Sequence, residues 1–206
     1  ARFNAYLDDH ANLADGLFAL YGLTFDPKWL EAAVGVVERM IDQFWDEEGG
    51  GFYFTAKDHE SLITRTKEYQ DNATPSGNSV AADVLLRMAA LLDRADYRSK
   101  SEQIFQNSAS WIRQYPSAFG RMLAGVDFHV GPSKEIAIAG VPESFLKVVR
   151  KHYMPRSVVA AGPNDHIALL RDRPMIDGKP TAYVCEHFTC QTPVTDAATF
   201  EEQLRI

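Results

Sequence analysis

The chain has few cysteines, no long apolar run and no concentration of basic residues. Its two cysteines, Cys185 and Cys190, do not make a disulfide framework, so we expect a reducing, cytoplasmic compartment. No apolar run approaches the roughly 20 residues that a membrane-spanning helix needs. The first residues also lack the basic stretch followed by an apolar one that a secretory leader shows. These absences predict a soluble protein without a visible leader.

The charge balance argues against a polyanionic partner. The net charge is -7, and the 21 lysines and arginines are scattered along the chain rather than clustered. We therefore expect neither nucleic acid nor an anionic membrane as a partner. Apolar residues make up 46% and charged residues 24% of the 206 positions, which is typical of a globular chain able to bury a substantial core.

Apolar residues recur at helical spacing through the first 130 residues. The repeats are separated by short turn signals, which predicts antiparallel neighbouring helices. Asp26 followed by Pro27 is typical of a helix start, because the proline at the first position has no N–H to satisfy. Residues 51–55 and 62–65 have the composition of a small β-hairpin. The predicted helices are 8–23 (capped by Asp8 or Asp9), 27–45 (capped by Asp26), 76–93, one from 95 or 97 to 115, and 117–130.

The last part of the chain alternates between strand and helix patterns. Two short apolar runs flank an amphipathic helix, and a strand–helix–strand unit of this length implies a parallel pair of strands. The sequence therefore predicts a mainly α fold, with helical hairpins over 1–130 and a small α/β appendage over 131–206. The predicted strands are 135–140, 156–162 and 181–185, and the predicted helices are 142–153, a short one at 167–170 and one capped by Thr195.

Several short motifs resemble one known family. They are residues 7–11, 49–53, 68–72 and 75–79, and Tyr183-Val184-Cys185 with Thr189-Cys190. Together they resemble the C-terminal part of the DUF255 proteins, also called the spermatogenesis-associated protein 20 or YyaL family. The repetition of helical hairpins at a spacing of roughly 70 residues is also typical of a toroid of stacked helix pairs.

This resemblance implies an incomplete (α/α)6 toroid, related to six-hairpin glycosidases and N-acylglucosamine 2-epimerases. In full-length members a thioredoxin-like domain precedes the toroid. We therefore expect the chain to be a fragment that lacks this domain and the first helical hairpins. The absence of an initiator methionine just before a predicted helix agrees with that expectation. An inner helix left uncovered would favour association through its apolar face.

Polar residues are concentrated where two of the predicted inner helices begin. In a toroid these helix ends point at a central cavity, so both groups would face one cavity if the helices are adjacent. Acid–base chemistry on a sugar needs two carboxylates, or a carboxylate and an imidazole, around the substrate. We predict as catalytic Asp9, His10, Glu68 and Asp71. We predict as substrate-binding Asp8, Phe52, Tyr53, Tyr69, Gln70, Asn72, Ser76 and Asn78.

Structural roles for the same residues remain open. Asp8 and Asp9 are suited to stabilise a helix start, and Thr74 or Ser76 to cap the next helix, with Asp71 and Asn72 bonding loop backbone. Phe52 and Tyr53 also suit a hydrophobic core. For the cysteines we favour structural thiols; a disulfide switch is one alternative. Another is zinc bound by Cys185, Cys190 and His187, with Glu186 as fourth ligand. We predict no metal and no cofactor.

The motifs and the resemblance lead to two functional hypotheses. The first is a fragment of a carbohydrate-active protein, a sugar epimerase or isomerase or a glycoside hydrolase, whose partners are a sugar or small metabolite and the N-terminal part of the same protein. The second is a non-catalytic scaffold attached to a thioredoxin-like domain absent from this chain.

Overall fold

A computed structural model describes residues 4–60, 63–163, 166–186 and 189–204. Over these residues the protein is predominantly helical, with seven α-helices and one four-stranded sheet. This confirms the predicted mainly helical fold with a small sheet, while the toroid and the boundary at residue 130 stay predictions. The chain forms two compact units, Ala1–Ala89 with Arg94–Asp127, and Ala90–Asp93 with Phe128–Ile206.

The first five helices begin and end close to the predicted positions. Asp26 accepts a hydrogen bond from the N–H of Lys28 at 3.1 Å, as expected of a helix cap. The predicted cap of the first helix was wrong, because Tyr6 precedes it and Asp9 accepts from the N–H of Tyr6 at 2.8 Å. The helices are α1 (Leu7–Thr24), α2 (Pro27–Phe44), α3 (Gly77–Leu92), α4 (Ala95–Gln114) and α5 (Gly120–Val130).

Burial differs sharply between these helices. Nearly every side chain of α3 is buried, including Asn78 and Asp83. The helix α1 packs against α2 but buries only part of its apolar stripe, since Leu13 and Leu23 are more than half exposed. Among the described residues, no helix combines the length and apolar character that crossing a membrane requires.

The predicted hairpin at 51–55 is not a pair of strands. Its first half makes an isolated bridge between Trp45 and Phe52 and one backbone hydrogen bond, from the N–H of Phe54 to the carbonyl of Thr66 at 2.7 Å. Leu62 of the second half lies outside the described residues. Gly50 and Gly51 take left-handed φ values of 64° and 78°, which turn the chain out of an extended path. The side chain of Asn78 forms hydrogen bonds with the N–H and the carbonyl of Phe52, which a partner strand would otherwise bond.

The second unit contains the sheet, in the order β2-β1-β3-β4. Strands β1 and β2 are parallel with α6 between them, which confirms the predicted strand–helix–strand unit, and β3 runs antiparallel to β1. The last helix is capped by Asp196, which accepts from the N–H of Thr199 at 2.8 Å, and not by Thr195. The elements are β1 (Lys134–Ala139), α6 (Glu143–Lys151), β2 (Ser157–Ala161), β3 (Thr181–Glu186), β4 (Thr189–Cys190) and α7 (Ala197–Leu204); a single 3-10 turn, Ala168–Leu170, replaces the predicted short helix.

Candidate functional site

The polar stretch after Lys67 forms one wall of an open cleft of about 780 Å³ in the first unit. The end of α4 and the 3-10 turn that follows it form the other wall. This volume falls within the range of about 300–1,000 Å³ that is usual for small-molecule sites. The lining residues are Lys67, Glu68, Tyr69, Gln70, Asn72, Trp111, Tyr115, Ser117, Ala118 and Phe119.

Aromatic rings and polar groups of several kinds share this cleft. Trp111 and Tyr115 are 49% and 57% exposed, so their rings are available to a ligand. Glu68, Gln70 and Asn72 are exposed on the opposite wall. Together they offer a carboxylate, two carboxamides and two aromatic surfaces, which is a set of groups able to bind a ligand with both hydroxyl groups and apolar faces.

The ring of Tyr69 is fixed beneath this surface. It is 8% exposed, and its centroid lies 6.0 Å from that of Trp111. Asn107 contacts its hydroxyl at 3.4 Å. A side chain at Gly51 would collide with the same hydroxyl, so the glycine-rich turn has to lack a Cβ there. The phenol is therefore a rigid part of the cleft rather than a mobile ligand contact.

Lys67, at the edge of the cleft, is held by an ion pair. Its Nζ donates to Asp46 Oδ2 at 2.5 Å and to the carbonyl of Gly50 at 2.6 Å. The hydrogen bond from Lys67 lowers the pKa of the Asp46 carboxyl to about 2. The lysine is thus tied to the turn at Asp46–Gly51 rather than aimed into the cleft.

Asn78 was predicted to bind substrate; in the structure its side chain binds backbone groups of two loops. Its side chain is fully buried. Its Oδ1 accepts from the N–H of Phe52 at 2.8 Å, and its Nδ2 donates to the carbonyls of Phe52 and Glu68, both at 2.9 Å. The carboxamide therefore joins two loops and places Glu68 at the cleft.

Asp71, predicted as a catalytic carboxylate, instead stabilises loop and helix backbone. Its Oδ2 accepts from the N–H of Arg121 at 2.8 Å, in the first turn of α5, and its Oδ1 accepts from the N–H of Ser76 at 3.0 Å. Ser76 is buried and its hydroxyl accepts from the N–H of Ser79 at 3.1 Å, so it caps α3. These two residues have the capping roles that the sequence left open.

Asp8 and Glu68 are brought together at the start of α3. Asp8 accepts a backbone hydrogen bond from Gly77, and a Cβ at Gly77 would lie 2.5 Å from Asp8 Oδ1, so only glycine allows this approach. Burial raises the pKa of the Asp8 carboxyl, and the nearby charge of Glu68 adds to the increase. The pair thus combines a partly buried carboxyl with an exposed one.

Asp9 and His10 line a different groove. This groove, of about 390 Å³ between α1 and α2, is otherwise bounded mainly by small and apolar side chains. The carboxylate of Asp9 is bound by the N–H of Tyr6, and His10 Nδ1 lies 3.0 Å from the carbonyl of the same residue. The structure therefore does not place these two predicted catalytic residues along the cleft that Glu68 lines.

Phe52 and Tyr53, which were predicted to bind substrate, do not line the cleft. Phe52 is fully buried against Trp45 and has a core role. The ring of Tyr53 is covered by the guanidinium of Arg65, 4.2 Å from its centroid. The exposed rings of the cleft are those of Trp111 in α4 and of Tyr115, which directly follows that helix.

A partly buried charge network links three helices and was not predicted. Asp83 of α3 is 2% exposed; its Oδ1 accepts from Arg87 Nε at 2.8 Å, and its Oδ2 lies 2.9 Å from Arg121 Nη2. Arg121, in α5, also pairs with Asp15 of α1 at 3.1 Å. Burial raises the pKa of Asp15, and Arg121 opposes that increase. A charged residue inside the apolar pattern of α3 was the available signal.

The two cysteines are not the free structural thiols that we had favoured. Cys185 on β3 and Cys190 on β4 occupy paired positions and form a disulfide. The sequence spacing had not suggested a framework disulfide, and the hairpin register supplied the proximity. His187 lies outside the described residues. Among the residues that the structure describes, no cluster of three or more histidine, cysteine or acidic side chains is placed to hold a metal ion.

No family model matches the chain, but several known proteins are similar to it in sequence over nearly its whole length. Over 93% of its length the chain is 30% identical to spermatogenesis-associated protein 20 of Homo sapiens and of Rattus norvegicus. Over 96% of its length it is 28% identical to an uncharacterized protein of Caenorhabditis elegans. The chain spans about a quarter of the length of these curated relatives, 26% for the first two. The similarity fits the family indicated by the motifs.

Proposed function

We propose that the cleft binds a sugar or sugar derivative, and that the complete protein acts on it as an epimerase, isomerase or glycoside hydrolase. We further infer that the chain is a segment of a protein of the spermatogenesis-associated protein 20 family and that its helices belong to an (α/α) toroid. The observation that carries the functional proposal is the combination of Trp111 and Tyr115 with Glu68, Gln70 and Asn72 along one cleft.

A sugar ring uses both kinds of surface that this cleft provides. Its C–H faces pack against aromatic rings, and Trp111 and Tyr115 present such rings with about half of their surface exposed. Its hydroxyl groups both donate and accept hydrogen bonds, which matches the carboxamides of Gln70 and Asn72 and the carboxylate of Glu68. A purely apolar ligand would leave these polar groups without partners, so the proposal is specific to a polyhydroxylated compound.

The acid–base pair for such a reaction is Glu68 with Asp8, a revision of the pairing expected from the sequence. The environment raises the pKa of Asp8 through burial, while Glu68 remains exposed at the cleft. A carboxyl whose pKa is raised by burial is suited to donate a proton, and an exposed carboxylate beside it is suited to accept one. Asp71 is excluded from this role, because backbone N–H groups occupy both of its oxygens.

Binding is tested by isothermal titration calorimetry of the chain with glucose, mannose and N-acetylglucosamine. Trp111→Ala should weaken binding by about tenfold, corresponding to about 1.4 kcal/mol of lost aromatic contact. Tyr153→Ala removes a ring that is 91% exposed in the other unit and should leave affinity unchanged. Equal affinities of wild type and Trp111→Ala would contradict the site, and absence of binding by all three sugars would favour the scaffold alternative.

Catalysis is tested in the full-length protein by following anomeric and epimeric products by NMR. Glu68→Gln should abolish turnover while preserving the circular dichroism spectrum, because the carboxylate is exposed and only its backbone carbonyl accepts a hydrogen bond from Asn78. Glu48→Gln removes an equally exposed charge outside the cleft and serves as the matched control. Wild-type turnover in Glu68→Gln would overturn the assignment of this residue.

A further inference from the structure

The disulfide of the second unit has one buried and one exposed end. Cys185 on β3 is 1% exposed, whereas Cys190 on the two-residue strand β4 is exposed. The two residues are paired positions of β3 and β4, and within the part of the chain that the structure describes β4 pairs with no other strand. One cysteine is therefore exposed to a reagent in solution while the other is enclosed.

A single guanidinium group contacts both sulfur atoms. Arg173 Nη2 lies 3.7 Å from Cys185 Sγ and 3.9 Å from Cys190 Sγ. Arg173 Nη1 donates to the carbonyl of Leu169 at 2.8 Å, which holds the planar group in place. Within the described residues no carboxylate forms an ion pair with Arg173, so its positive charge is directed at the sulfur atoms rather than neutralised.

We propose that Cys185 and Cys190 form a redox-active disulfide that is reduced by thiols, with Arg173 stabilising the thiolate that reduction releases. A disulfide that only reinforces the fold gains nothing from a fixed positive charge beside its sulfurs, since neither sulfur is charged in the oxidised state. A thiolate does gain, because a neighbouring arginine lowers the pKa of a cysteine thiol. The partner chemistry is a dithiol reductant, or two equivalents of a monothiol.

Reduction of the disulfide by thiol–disulfide exchange takes place in two steps. A reductant thiolate attacks the exposed Cys190 Sγ; the bond between the cysteines breaks, a mixed disulfide forms on Cys190, and the electron pair goes to Cys185 Sγ beside Arg173. A second thiolate of the reductant then displaces Cys190, forming the disulfide of the reductant and leaving two reduced cysteines. Two electrons and two protons are transferred to the protein, and the reverse sequence restores the disulfide.

The arginine should act on the rate as well as on the equilibrium. A leaving thiol departs faster when its pKa is lower. One unit of that pKa is a tenfold change in thiolate stability, and half to all of it expressed in the transition state slows the exchange by about threefold to tenfold. Loss of Arg173 should therefore slow reduction of the disulfide by about threefold to tenfold. The effect should require the charge of the side chain and not merely its bulk.

The test is the rate of reduction of the chain by dithiothreitol, followed by trapping thiols with iodoacetamide and mass spectrometry. Arg173→Gln should react about threefold to tenfold more slowly than wild type, and Arg173→Lys should recover much of the rate. Arg171→Gln is the matched control, because it removes an exposed charge two positions away and should react like the wild type. A common rate for wild type and Arg173→Gln would overturn the role of the arginine.

A second measurement addresses the disulfide itself. Equilibration of the chain with glutathione buffers of graded ratio should give interconvertible oxidised and reduced populations, and the pH dependence of alkylation should place the pKa of a reduced thiol below the ordinary value of about 8.5. Arg173→Gln should raise that pKa. A bond that stays oxidised in every glutathione buffer, or a pair that stays reduced in oxidised glutathione, would refute the proposal.

Discussion

Replacing Asn78 with alanine removes the carboxamide that bonds the backbone of Phe52 where a partner strand would otherwise do so. In the folded protein this side chain satisfies the N–H and the carbonyl of Phe52 and the carbonyl of Glu68. Alanine makes none of these bonds, and the bonds to Phe52 are buried. The substitution therefore leaves two backbone groups without partners in the interior of the first unit.

The loss of folding stability is calculated from those two unpartnered backbone groups. An orphaned buried donor or acceptor costs about 1–3 kcal/mol, while the third bond, to the partly buried Glu68 carbonyl, can be replaced by water at little cost. We expect Asn78→Ala to lower the free energy of unfolding by about 2–6 kcal/mol, the sum for the two groups. A change of that size is a large fraction of the roughly 5–15 kcal/mol that stabilises a typical domain.

The chain supplies a matched control in Asn72, which lies six positions earlier and is exposed in the cleft. Asn72→Ala should change the unfolding free energy by less than about 0.5 kcal/mol, as expected of a surface substitution, while weakening sugar binding. Urea unfolding followed by tryptophan fluorescence measures the difference. All three tryptophans lie in the first unit, and Trp45 packs on Phe52 at a centroid distance of 4.9 Å, so the signal reports on the affected region.

Two results would refute this reasoning. If Asn78→Ala unfolds at the same urea concentration as the wild type, the buried bonds contribute nothing and the structural role is wrong. If Asn72→Ala is the more destabilised variant, the division of the polar stretch into supporting and ligand-facing residues is reversed.

Three carboxylates yield further predictions. Asp71→Ala should destabilise the chain by about 1 kcal/mol through loss of a helix cap, with Asp71→Ser recovering part of it in urea unfolding; equal stability of all three proteins would contradict the capping role. Because the folded pKa of Asp46 is lowered to about 2, its pairing with Lys67 should stabilise the protein above pH 4 and be lost as the pH falls towards 2. Asp46→Asn should lower the free energy of unfolding by about 1–2 kcal/mol at pH 7, after allowance for solvent screening, and by less at pH 2. A difference in stability between wild type and variant that does not change with pH would contradict this prediction. Burial raises the pKa of Asp8, so the contribution of this carboxyl to stability should decline as the pH rises from its unfolded pKa towards its folded pKa. Carboxyl NMR should show a titration midpoint of Asp8 that is raised and that Glu68→Gln lowers. A titration midpoint at or below 3.8 would contradict this prediction.

The sequence predicted the helices of the first unit because their signals are local. The pattern of apolar residues indicated which segments are helical, and Asp26 with Pro27 marked the start of α2. The βαβ unit followed from element lengths, since parallel strands require a crossover connection. The prediction of a strand at 51–55 was wrong although the composition suited one, because the N–H of Phe52 bonds the side chain of Asn78, 26 positions away, instead of a partner strand.

The polar stretch beginning at Glu68 shows what the sequence by itself determined. Its density of carboxylates, carboxamides and hydroxyls marked a region with more polar groups than a connection needs, and the structure places Glu68, Gln70 and Asn72 on a cleft. The same density could not separate these residues from Asn78 and Asp71, because an exposed and a buried carboxamide are identical in sequence.

Tertiary structure alone decided the roles of individual polar groups. Whether such a group supports the fold or faces a ligand depends on which distant atoms surround it, as with Asp71 and the N–H of Arg121, 50 positions later. The exposure of Trp111, the burial of Asp83 and the joining of Cys185 to Cys190 beside Arg173 have the same origin. The sequence determined the elements through short-range periodicity and capping. Only long-range packing determined which side chains remain free for chemistry.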